Sequence, residues 1–176
     1  MTFEKLVEDR IQPILIERGF ESISNFQDCI TFRSAKIELR LCHWNIDRSN
    51  TLWLGRESEM LNEIHDEVLR DVLHSGIMLE KKTPEDFIDN VRRLVEHELQ
   101  SILDGDATIL EQISEYVKKS SALYTADLLF QQNKKIADKA WLNNDYVRFI
   151  YIIDTIGLSN LPASYQLKYN LARKNA

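Results

Sequence analysis

The hydrophobic period of this chain changes at one place, and that change limits the folds open to it. Before Gly55, apolar and polar residues alternate. Ile30 and Phe32 interleave with Thr31 and Arg33; Ile37, Leu39 and Leu41 with Lys36, Glu38, Arg40 and Cys42; Leu52 and Leu54 with Thr51 and Trp53. A period of two with one apolar face predicts half-buried antiparallel strands. Ser34-Ala35 is short enough for a hairpin, and the stretch from Asn45 to Asn50 supplies a longer turn. After Gly55 the apolar residues recur every three or four positions, the spacing of amphipathic helices. A helix also precedes the strands, carried by Phe3, Leu6, Val7, Ile11, Ile14 and Leu15, with Pro13 bending it near its end and Gly19 stopping it.

The expected fold class is α+β: an N-terminal helix plus a three- to four-stranded antiparallel sheet, followed by an all-helical C-terminal bundle. The expected division is 1–76 for the helix, meander and first acidic helix, and 77–176 for the bundle, packed together as one unit. Helix starts are marked by Ser58, by Thr83-Pro84-Glu85-Asp86, by Asp106, by Asp145 and by Pro162. Each pairs a side-chain cap or an N-terminal proline with an apolar stripe behind it. The Ser58 helix would carry Leu61, Ile64, Val68 and Val72; the next, starting at Thr83-Pro84, would carry Phe87, Val91, Leu94, Val95 and Ile102 and end at Asp104-Gly105; separate helices would follow over Asp106–Val117 and Ser121–Leu142.

Charge is unevenly spread. The net charge is −6, yet residues 1–56 balance at 8 acids and 8 bases. Residues 57–115 hold 16 acids and 5 bases, and residues 116–176 hold 4 acids and 9 bases. Within the acidic stretch Glu59, Glu63, Glu67 and Asp71 follow one another at i,i+4. On a helix that spacing makes one row, turned away from Leu61, Ile64, Val68 and Val72. Like charges so placed repel by a few tenths of a kcal/mol per pair (roughly). The row reads either as a solubilising face or as a docking face for a basic protein, where it would raise association rate and specificity. Trp53 points away from Leu52 and Leu54. If the second sheet face is open, Trp53 is an exposed anchor for a partner; if helices cover both faces, it belongs to the core.

Local catalytic signatures are missing from the sequence. His43, His65, His74 and His97 form no HExxH and no i,i+4 pair, and Asp71 with His74 is a single DxxH, so no metal is expected. Cys42 and His43 are strand neighbours on opposite faces and cannot act as a nucleophile–base pair. Five glycines are too few for a phosphate-binding loop, so no cofactor is expected. The acidic balance opposes a nucleic-acid partner. No apolar run reaches the roughly 18 to 20 residues of a membrane span, and the opening Met1-Thr2-Phe3-Glu4-Lys5 has no secretory pattern. The cytoplasm is therefore the expected location. Cys29 and Cys42 are expected as free thiols in strands, with a disulfide open to them if the two strands pair.

Two resemblances add to this. Ala140-Trp141-Leu142-Asn143-Asn144-Asp145-Tyr146 followed by Pro162 resembles a single degenerate tetratricopeptide-type helix hairpin, and ordinary helix-pair packing explains the same residues. Phe3-Glu4-Lys5-Leu6, Ile11, Pro13, Ile14-Leu15 and Gly19-Phe20, an opening helix ending in Gly-Phe before a short meander, resemble small bacterial α+β proteins of the polymorphic-toxin immunity type. That resemblance implies stoichiometric blocking of a toxin, with an acidic surface set against a basic target. The expected function is thus an inhibitor-type protein-binding protein using Glu59, Glu63, Glu67, Asp71 and Trp53. An adaptor built on the C-terminal hairpin is the alternative, and an enzyme with a non-local site a further one.

Overall fold

A computed structural model describes residues 1–26, 28–57 and 59–176; of residues 24–26 only the backbone is described. The chain divides into two compact units, Met1–Lys118 and Lys119–Ala176. The division does not fall at Gly76, because residues 87–113 share one hydrophobic core with residues 6–54.

The first unit opens with α1 (Phe3–Arg10) and α2 (Gln12–Glu17). Thr2 caps α1, its Oγ1 accepting from the Lys5 amide at 3.3 Å. Proline has no amide to donate, so Pro13 interrupts the ladder and splits the expected single helix in two. Gly19, at φ 79°, ends it. Its amide donates to the Ile16 carbonyl at 2.9 Å, and the Phe20 amide donates to Leu15 at 3.0 Å, the double closure that a left-handed glycine permits.

Five strands follow: β1 (Glu21–Phe26), β2 (Cys29–Arg33), β3 (Ile37–Trp44), β4 (Ser49–Arg56) and the two-residue β5 (Asn62–Glu63). They lie in chain order, each antiparallel to the next. Ser34 closes the β2–β3 hairpin, its amide donating to the Ile37 carbonyl at 2.9 Å. The alternation read from sequence sends Ile30, Phe32, Ile37, Leu39, Leu41, Leu52 and Leu54 to one face, each at most 4% exposed. Helices α1, α3 (Asp66–Asp71), α4 (Pro84–Glu96), α5 (Gln100–Leu103) and the start of α6 (Ala107–Leu142) supply the rest of that core through Leu6, Leu69, Phe87, Val91, Ile102 and Ile113. Burying each such side chain contributes about 1.5–3 kcal/mol.

The α4 start is as expected: Thr83 Oγ1 accepts from the Asp86 amide at 3.2 Å, with Pro84 first in the helix. The helix stops at Glu96, short of Ile102, and turns through His97–Leu99 into α5. Asp106 opens α6, its Oδ1 accepting from the Thr108 amide at 2.8 Å. The two helices expected over 107–142 are one.

In the second unit the last part of α6 packs with α7 (Tyr146–Ile156) and α8 (Ala163–Asn175). Ala137, Ala140 and Ala172 let the helices approach, and Phe149, Ile153 and Tyr165 fill between them. Trp141 meets Tyr146 at 5.7 Å and Phe149 at 5.3 Å between ring centroids. Asp145 caps α7 through the Arg148 amide at 3.1 Å, and Gly157, at φ 84°, ends it. Pro162 immediately precedes α8.

Candidate protein-binding surface

The sheet face opposite the core is where the strand alternation sends Cys29, Thr31, Arg33, Glu38, Arg40, Cys42, Thr51, Trp53 and Glu63. Register confirms the grouping, since Cys29 faces Cys42, Thr31 faces Arg40, Arg33 faces Glu38, and Trp53 faces both Arg40 and Glu63. At its centre Glu38, 7% exposed, ties two cations together. Its Oε2 accepts from Arg33 Nη2 at 2.8 Å, and its Oε1 from Arg40 Nη2 at 2.9 Å. Arg40 Nε also donates to Thr31 Oγ1 at 3.3 Å. Charge-assisted hydrogen bonds of this kind fix the carboxylate and both guanidinium groups relative to one another.

Trp53 lies beside this network. Its Nε1 donates to Thr51 Oγ1 at 3.0 Å, and the residue is half-buried. It is absent from the hydrophobic residues packed on the core, so among the described residues it belongs to the outward face. Trp44, on the same face at the end of β3, is 40% exposed. Tryptophan and arginine are the residue types that most often dominate a protein interface, while Thr31, Glu38 and Cys42 beside them are at most 7% exposed.

The acidic row is not a row. Residues 62–63 are paired with β4 as a strand, and Ile64 continues the pairing by donating to the Leu52 carbonyl at 2.8 Å. Gly55 makes this possible: a Cβ there would lie 2.9 Å from Leu61 Cδ2 and 3.2 Å from Leu61 Cα. The segment therefore runs against β4 instead of coiling, and the helix begins only at Asp66. The expected cap, Ser58, lies outside the described residues. Spacing of i,i+4 aligns side chains on a helix alone, so Glu59, Glu63, Glu67 and Asp71 fall on a loop, a strand and a helix.

Three of the four also have partners within the first unit. Glu59 lies 3.5 Å from Arg56, which reaches Glu111 at 2.8 Å. Glu63 Oε1 is 3.7 Å from His65 Nδ1. Asp71 accepts from Arg70 at 2.7 and 3.0 Å and from the Tyr116 hydroxyl at 2.7 Å. The Arg70 hydrogen bond, then that of Tyr116, holds the Asp71 carboxyl down at about 2. Glu67 is exposed in the first turn of α3. Of the five residues singled out from sequence, the structure brings Trp53 and Glu63 side by side and leaves the others apart.

The two cysteines form a disulfide with Cα atoms 4.1 Å apart, in place of the free thiols expected. Cys29 and Cys42 are directly opposite at a non-hydrogen-bonded position, where antiparallel backbones approach most closely. The signal was in the sequence: the Ser34 turn pairs Arg33 with Glu38, and counting outward from there pairs Cys29 with Cys42. The same count finds the Arg33–Glu38–Arg40 cluster.

Among the described residues no group of three or more histidine, cysteine, aspartate and glutamate side chains is placed to hold a metal, and no helix is long and apolar enough to cross a membrane. No protein-family model matches the chain, and no curated protein or solved structure matches it either.

Proposed function

We propose that this chain is a cytoplasmic protein-binding protein of the inhibitor or immunity type, which takes a basic partner on the outward face of its sheet. The observation that carries the reading is Trp53, held outside the core between Arg40 and Glu63 by register and by its hydrogen bond to Thr51. Arg33 pairs with both Glu38 and Glu57, and Arg40 with Glu38, so two carboxylates match the two cations. The unit around it, residues 1–118, carries 24 acids against 14 bases. Such a field speeds the approach of a basic protein, while the aromatic anchor supplies affinity. Glu63, opposite Trp53, belongs to the rim; Glu67 is exposed on α3 and adds only to the acidic field, and Glu59 and Asp71 are the weaker contributors because their charges are met internally.

The test starts from a partner captured by the wild-type chain, identified, and titrated calorimetrically against variants. Trp53→Ala should weaken binding by about 2 kcal/mol or more, the scale of an interface hot spot. Glu63→Lys should slow association and reduce its dependence on salt, while Glu85→Lys on α4 should leave binding of this face intact. Unchanged affinity in Trp53→Ala, or a captured partner that is itself acidic, removes the reading.

An adaptor role for the second unit is favoured by a different observation. Val147 and Tyr151 on α7, and Leu167 and Leu171 on α8, stand at i,i+4 and are 49–74% exposed. Partner binding that survives Trp53→Ala and fails on Val147→Glu with Tyr151→Glu selects that reading.

A further inference from the structure

We infer that a cavity on the core side of the sheet, where the first turns of α1 and α4 meet the open end of the β2–β3 hairpin, binds a small organic ammonium ion through His43, Asp28 and Glu4. The cavity measures about 460 Å³, the size of a small-molecule site. Printed into its walls are contacts that tie the elements together. Phe3 of α1 stacks on the His43 ring, with centroids 5.4 Å apart. The His43 amide donates to the Asp28 carbonyl at 2.8 Å. Phe3, Ile30 and Pro84 supply apolar wall for a hydrocarbon body, and Glu4, Asp28 and His43 supply the polar groups.

The tautomer of His43 is fixed from outside the cavity. Asn50 Nδ2 donates to the Lys82 carbonyl at 2.9 Å, which turns Asn50 Oδ1 toward the ring, and that oxygen lies 2.8 Å from His43 Nδ1. An amide oxygen can only accept, so Nδ1 carries the hydrogen and the lone pair of the neutral ring is on Nε2. Nε2 has no partner among the described residues. Asp28 accepts from Asn45 Nδ2 at 3.0 Å, and neither it nor Glu4 forms an ion pair among the described residues. These three groups therefore offer the cavity acceptors and negative charge, which match an ammonium ion, a cation that has only donors. The same groups are not clustered to hold a metal ion; an organic cation does not require them to converge on one atom. The site lies on the face of the sheet opposite Trp53, so the inference is independent of the binding role proposed above.

The experiment titrates the nitrogen-15-labelled full-length chain at one neutral pH with phenethylamine, phenethyl alcohol and phenylacetate, followed by NMR. The free protein should show the Nδ1–H tautomer of His43 in its ring nitrogen shifts. Phenethylamine should move those nitrogens and the Phe3 amide saturably, with millimolar affinity or better. The alcohol should bind several-fold more weakly and phenylacetate not at all, and the preference for the amine should narrow in high salt. His43→Phe, which keeps a ring on Phe3 but removes the acceptor, should weaken the amine several-fold. Asp28→Asn, which keeps an acceptor for Asn45, should reduce the preference for the amine over the alcohol. An Nε2–H tautomer overturns the inference, as do shifts confined to residues outside the cavity, no binding of phenethylamine, phenylacetate binding as well as the amine, or full affinity in His43→Phe. The wild-type tautomer and the comparison of the probes decide even if a variant fails to fold.

Discussion

The Asp71 carboxylate takes two hydrogen bonds from Arg70 and one from Tyr116, and all three favour its ionised form. Its folded value, about 2, lies below the unfolded one. The stabilisation it gives is therefore full above the ordinary carboxylate range and is lost as pH falls through about 2. Carbon-13 NMR titration of the side-chain carboxyl should show that low midpoint, and Tyr116→Phe should raise it; a midpoint at the ordinary aspartate value would mean the hydrogen bonds do not persist in solution. Gly55 offers a second measurement. Gly55→Val would press on the backbone of Leu61 and lift residues 60–63 from β4. Crowding of this kind costs about 1–3 kcal/mol, so the urea midpoint should fall. Trp53 fluorescence should change with it, because Glu63 would leave its cross-strand position.

Helix α6 is packed at its two ends and bare between them: residues 118–129 are all exposed, Leu123, Tyr124, Leu128 and Leu129 included. A helix segment without tertiary contacts depends on its own hydrogen bonds, which are marginal in water. Amide hydrogen exchange should therefore be markedly faster over 119–129 than over 108–117, where Leu110 and Ile113 are buried. Equal protection would show that a partner or a second copy covers the bare stretch. At this scale the sequence was legible wherever a period was reinforced by a cap or a stop. Thr83-Pro84, Asp145, Gly157 and Gly19 each end or begin an element where they were expected to. It misled over 59–72, where Leu61, Ile64, Val68 and Val72 match helical spacing although only Asp66–Asp71 is helical and Asn62–Glu63 is a strand. What decides there is a non-local contact, Gly55 against Leu61, which no window of residues 59–72 contains. Trp53 was legible as outward-facing, but whether helices cover that face depends on how distant elements pack, and strand alternation is silent on this.

Across the whole molecule the charge boundary follows the division into units: residues 1–118 are net −10 and residues 119–176 net +4. Charge asymmetry was readable from composition, whereas the boundary at Lys118 was not, because it falls inside an unbroken helix. The acidic unit also contains the sheet, so the fate of its two margins matters for association. On one side β1 carries a register shift between Ser22 and Ser24, and on the other β5 pairs over only two residues. A bulged margin turns its unpaired amides and carbonyls out of line, and a two-residue one presents hardly any. Neither border offers a straight template to which a neighbouring molecule could add a strand. Crowded copies of this chain are thereby denied the most direct route to fibrils, and growth by edge-to-edge pairing would first require one border to be remade.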